Sequence, residues 1–146
     1  MASRREEVLR QAFEAWNRGD FEATAANLTE DFEWHSSGVF PDFDSVYLGR
    51  ERFREFWDRF HDAWAFIDVE PKGFWEVGDT IVMAFRFHAK GKESGVEVKL
   101  DWVNVFRFNA DDKAVYGAAY QGLDAALAGE GISREELPPD ATADRD

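Results

Sequence analysis

Apolar residues recur at two spacings along this chain, helical in its first half and strand-like in its second. Val8, Leu9, Ala12, Phe13 and Trp16 lie three and four apart, which places them on one stripe of a helix. Ser3 and Glu6 form a capping box ahead of that stripe, and Gly19 follows it as a stop. Asp20 can cap a second helix over residues 21–28. A short strand over residues 32–37 puts Phe32, Trp34 and Ser36 on one face and Glu33 and His35 on the other. Pro41 predicts a loop over residues 38–47. Phe53, Phe56, Trp57, Phe60 and Trp64 then mark an aromatic, amphipathic third helix over residues 50–64.

From Phe66 onward the period is two. Residues 67–77 predict a strand that Pro71 confines to a sheet edge or a bulge. Gly78 and Asp79 turn the chain into a strand over residues 80–90, and residues 91–95 turn it again. Residues 96–121 then read as two long strands joined by a polar turn at 109–112. Val96, Val98, Leu100, Trp102, Asn104, Phe106 and Phe108 share one face, apolar throughout except for Asn104. A lone amide in such a row is either a buried polar group with a private partner or part of a ligand site. On the last strand Gly117, Ala119 and Gln121 should point inward, the first two small enough to leave space. Residues 123–128 add a short helix. Helices segregated from a meandering antiparallel sheet predict an α+β fold. One domain spans residues 1–132, and the acidic tail 133–146, with its pair of prolines, is expected to be disordered.

Composition sharpens this picture in three ways. Six Trp, fourteen Phe and three Tyr are more flat apolar surface than a 146-residue core requires, and fit either an aromatic-lined cavity or a Phe-rich core. A net charge of −13 argues against nucleic acid and against an anionic membrane surface as partners. The absence of cysteine removes disulfides, thiol nucleophiles and cysteine-ligated metals. MASRREEV lacks the apolar run of a signal peptide, and no run approaches the ~20 residues of a membrane span, so a cytoplasmic protein is expected.

Four marks carry a family resemblance: Trp16-Asn17-Arg18-Gly19-Asp20 at the end of the first helix, Asp31-Phe32-Glu33-Trp34-His35 on the first strand, Tyr47-Leu48-Gly49-Arg50-Glu51 entering the third helix, and Val105-Phe106-Arg107-Phe108 before the last turn. In this order the chain resembles the nuclear transport factor 2-like superfamily, and within it the SnoaL-like, polyketide cyclase-like branch. The resemblance implies a curved sheet wrapped around the helices as a cone with an apolar pocket. It also implies a homodimer through the outer sheet face, which would cover Val103 and Val105. It does not imply one chemistry, because this superfamily holds isomerases, dehydratases, epoxide hydrolases, cyclases and non-catalytic binding modules.

The catalytic positions of the relatives are largely replaced. Those of ketosteroid isomerases correspond to Ala12, Ser36 and Asn104, none of which is a base, although Asn104 can donate a hydrogen bond to a ligand oxygen. Those of the epoxide hydrolases correspond to Trp34 and Ser36, to Arg86-Phe87-His88 and to Ala119. The remaining candidates for acid–base work are His88, should its strand face place it inside beside Arg86, His35, should the strand end twist it over the mouth, and Asp42 with Asp44 on the loop. His61 belongs to the polar side of its helix. Three scattered histidines predict no metal site, and no cofactor is expected. Candidate ligand-binding residues are Trp16, Trp34, Ser36, Trp57, Trp102, Asn104 and Gln121. Two readings follow: a cofactor-independent enzyme on an apolar cyclic substrate, of isomerase, cyclase, dehydratase or hydrolase type, or a non-catalytic module that holds an apolar ligand or a partner.

Overall fold

The computed structural model describes residues 3–36 and 43–137. Helix α1 (Arg4–Asn17) is capped by Ser3, whose hydroxyl accepts from the Glu6 amide. Helix α2 (Phe21–Ala25) is capped by Asp20 and ends three residues before its expected limit. Strand β1 (Leu28–His35) begins there instead, because Leu28 already pairs with Ala114. Strand β2 (Val46–Leu48) overlaps the end of the expected loop and pairs antiparallel with β1. Gly49 has a φ of 90°, a value that favours glycine, and its amide donates to the Phe32 carbonyl as the chain enters α3 (Arg50–Asp62). The strands β3 (Trp64–Val77), β4 (Thr80–Gly91), β5 (Glu97–Phe108) and β6 (Ala114–Tyr120) follow, then α4 (Leu123–Glu130) and a 3₁₀ turn at Arg134–Glu136. That turn, with the capping box of Ser133 and Glu136, gives structure to part of the tail expected to be disordered.

The six strands form one open, curved sheet in the order β2-β1-β6-β5-β4-β3. All neighbours are antiparallel except β1 and β6, which run parallel. Pro71 sits on the edge strand β3 beside a register shift, where its missing N–H breaks no inner ladder. The free edge of β3 is met by Asn17, whose amide accepts from the Val69 N–H at 2.7 Å and donates to the Val69 carbonyl at 3.0 Å. Arg5 ties α1 to the two hairpin turns, reaching Asp112 at 2.7 Å and Asp79 at 2.9 Å.

Each sheet face has its own core. The inner face carries Phe32, Trp34, Ile81, Met83, Phe85, Phe87, Phe106 and Phe108 against the aromatic stripes of α1 and α3. The outer face carries Trp75, Val82, Val103 and Val105, and Leu123, Ala126 and Leu127 of α4 cover them. This corrects the expected dimer seam. Val103 and Val105 are buried within a single chain, so they leave no apolar face there for a second copy. The uncovered part of the outer face carries Arg86 on Asp101 at 3.0 Å and His88 facing Glu97 at 3.6 Å, beside the exposed ring of Phe66. No described helix is long and apolar enough to cross a membrane.

Candidate functional site

The helices α1 and α3 do not fill the space inside the curved sheet. A cavity of about 80 Å³ remains between Leu9, Phe13 and Trp16 of α1, Phe56 of α3, and the inner faces of the strands. More than half of its lining residues are aromatic. Packing explains why a gap persists: flat rings meet edge to face, as Trp16 meets Trp57 (centroids 4.9 Å apart), and such contacts do not close a concave wall. The volume is roughly half the ~150 Å³ of an engineered cavity that admits benzene. A ring-sized guest therefore requires side chains to move aside. Trp102 is placed to do so: it is half-buried, stacks on Phe87 at 4.9 Å, and adjoins the exposed Leu100 on the same strand face.

No residue on the described wall has an ionisable side chain. Its polar members are Thr24, Asn27 and Asn104. The Thr24 hydroxyl is engaged with the Asp20 carbonyl at 2.8 Å, and Asn27 is half-buried. Asn104 is 6% exposed and has no side-chain hydrogen-bond partner among the described residues. Its row across the sheet runs from Met83 on β4 through Asn104 to Ala119 on β6. One residue beyond the His35–Ala118 pair, Ser36 continues that row just past the end of β1, with its buried hydroxyl also unpartnered among the described residues. The small Ala119 thus lies between Asn104 on the wall and Ser36 buried beside it. The indole N–H groups of Trp16 and Trp34 are likewise buried without acceptors among the described residues.

Four predicted ligand residues line this cavity: Trp16, Trp34, Trp102 and Asn104. Ser36 and Trp57 are buried beside it without forming its wall. Gln121 is a correction. Strand β6 ends at Tyr120, so the inward alternation through Gly117 and Ala119 stops short of it and Gln121 is exposed. The space expected over Gly117 is also taken, by the rings of Trp34 and Phe106.

The histidines lie elsewhere. His88 is on the outer face, its ring 5.1 Å from that of Phe66, because the apolar alternate face of β4 turns inward. His35 also faces outward, with Nε2 3.1 Å from Glu33 and its ring 4.9 Å from that of Tyr116. His61 is not simply solvated. Its ring stacks on Trp57 at 3.8 Å and its nitrogens meet the carbonyls of Trp57 and Trp16, which ties α3 to α1. Asp44 is exposed near Arg52, and Asp42 lies outside the described residues. Among the described residues no three histidine or acidic side chains gather as a metal site. Phe13, Phe85 and Phe106 were not singled out as wall residues from the sequence, although their place in the apolar stripes was visible.

The SnoaL-like domain model matches residues 9–117. A search of curated proteins finds no significant sequence match. Among solved structures, a nuclear transport factor 2-like protein of unknown function from Burkholderia pseudomallei K96243 superposes with a TM-score of 0.74. It is 23% identical, over 87% of this chain and 97% of that one. TerC, co-crystallised with polyporic acid, gives a TM-score of 0.74 at 19% identity, over 89% and 98% of the two chains. A protein of ketosteroid isomerase-like fold from Catenulispora acidiphila DSM 44928, in complex with trimethylamine, gives 0.70 at 15% identity, over 90% and 98%.

Proposed function

This chain belongs to the SnoaL-like domain family, and from that premise we propose that it holds a neutral, apolar, cyclic small molecule inside the sheet, oriented by the amide of Asn104. The observation that carries this reading is the described cavity wall, which combines aromatic rings with one unpartnered buried amide and no charge. A charged guest would lose its hydration there without a counter-charge, at a cost of several kcal/mol. A guest bearing a carbonyl or hydroxyl oxygen gives the amide the partner it lacks. TerC, crystallised with polyporic acid, and the Catenulispora protein, in complex with trimethylamine, support the use of this fold to hold small molecules. Any reaction in the cavity proceeds without an acid or base from the described wall, so the holding of a ligand is favoured over acid–base catalysis by the named histidines. The carboxylate that would restore the enzymatic reading is Asp42.

Thermal shift with three probes of one shape tests this. Acetophenone should raise the melting temperature most, ethylbenzene less, and benzoate not at all, since a ligand selective for the native state stabilises it. The side-chain amide resonance of Asn104 should move with acetophenone and stay in place with ethylbenzene. If no neutral probe raises the melting temperature, or benzoate matches acetophenone, the reading fails. Conversion of a bound probe that is lost in Asp42→Asn would return the chain to the enzymes.

A further inference from the structure

The outer face of the sheet holds a second polar constellation, remote from the cavity wall. Glu130 is the last residue of α4, where the helix dipole disfavours a carboxylate. Its side chain is nevertheless only 6% exposed. Three groups from two strands converge on it. The phenols of Tyr116 and Tyr120 both donate to Oε2, at 2.6 and 2.5 Å, and Arg107 approaches Oε1 at 3.4 Å. Arg107 also lies 3.8 Å over the Tyr116 ring, which fixes the guanidinium beside the phenol. Residue 129 leaves the carboxylate its path: a Cβ on Gly129 would stand 2.6 Å from the Tyr120 phenol. The His35–Glu33 pair on β1 also lies near Tyr116.

We infer that Arg107, Tyr116 and Tyr120 form a carboxylate-binding cup, that Glu130 is its resident occupant, and that a small aliphatic carboxylate can take the place of Glu130. Two neutral donors on one oxygen and a guanidinium beside the other match a carboxylate and discriminate against a spherical anion. The occupant comes from a helix of eight residues, too short to persist without its dock. Displacement of Glu130 therefore leaves α4 held on the strip formed by Trp75, Val82, Val103 and Val105 through Leu123, Ala126 and Leu127 alone. That strip is the reverse side of the wall carrying Asn104 and Phe106, so occupancy of the cup reaches the strand that lines the cavity.

Chemical rescue tests the cup on the full chain. Glu130→Ala should melt several degrees below the natural protein. Sodium acetate should restore most of that loss saturably, while sodium chloride at equal ionic strength should not. In the same variant, acetate should raise the pH at which the phenols ionise, read by tyrosinate absorbance. Tyr116→Phe with Tyr120→Phe in the Glu130→Ala background should abolish both responses. Should Glu130→Ala fail to fold, Glu130→Gln serves, with a smaller acetate response expected. Equal effects of acetate and chloride, or acetate rescue that survives loss of both phenols, would overturn the inference.

Discussion

Replacing Asn104 with leucine should stabilise this protein, although most core substitutions destabilise. The amide is 6% exposed, lies between Trp102 and Phe106 on the inner row of β5, and has no partner among the described residues. A buried amide left unpaired costs about 1–3 kcal/mol, and Asn104→Leu removes that penalty. Leucine is bulkier at its branch point, and overpacking a full core costs about 1–3 kcal/mol. Here the side chain borders a cavity of about 80 Å³ beside the small Ala119, so most of that second cost is absent. The net gain is about 1–2 kcal/mol, which for a domain of this size raises the melting temperature by roughly 3–8 °C. Thermal melts and urea titrations of Asn104→Leu and Asn104→Ala measure it, the alanine variant being close to neutral because it enlarges the cavity while removing the amide. The preference for acetophenone over ethylbenzene should vanish in both. A leucine variant that melts below the natural protein would show that the amide is structurally satisfied, and the ligand-anchor reasoning would fall with it.

Two further outcomes follow from the packing and from the outer cup. Gly117→Ala sets a Cβ 3.0 Å from ring carbons of both Trp34 and Phe106, so both rings must shift against the cavity they border. It should destabilise by about 1–3 kcal/mol, and a variant as stable as the natural chain in urea would contradict the packing. Burial, then the Glu130 carboxylate, pushes the Tyr116 phenol up to about 12 and raises that of Tyr120 as well. The folded values lie above the unfolded value near 10, so this stabilisation is complete below pH 10 and is lost as pH rises through about 12. Tyrosinate absorbance should show two phenols titrating late, and Glu130→Gln should bring them down; ordinary titration of all three tyrosines would refute the cup's geometry.

The residues that set element type were readable without a structure. Ser3 and Asp20 cap the two helices they were expected to cap, and Pro71 marks an edge strand with a register shift. The period-two rows of β4 and β5 gave two apolar-rich faces, and the cavity wall includes the Asn104 face of β5. These features are local: caps, turns and alternation depend on residues close in sequence. What distant residues decide was not readable. Strand β2 exists because residues 46–48 find β1, and β1 starts at Leu28 because Ala114, 86 residues away, pairs with it. The short helix at 123–128 was visible, but its docking over Val103 and Val105 was not. The same apolar pair would satisfy a second copy equally well, and the burial of Leu123, Ala126 and Leu127 together with the contacts of Glu130 to Tyr116 and Tyr120 places the helix there. The count of aromatics fitted a lined cavity and a Phe-rich core equally, and the volume depends on how the rings tilt against one another. By itself the sequence determined the α+β family and which residues alternate together on each strand, while the inward face of β4, and with it the place of His88, stayed open. The tertiary structure decided which sides form a wall free of charge, because a side chain's neighbours across a sheet belong to other strands.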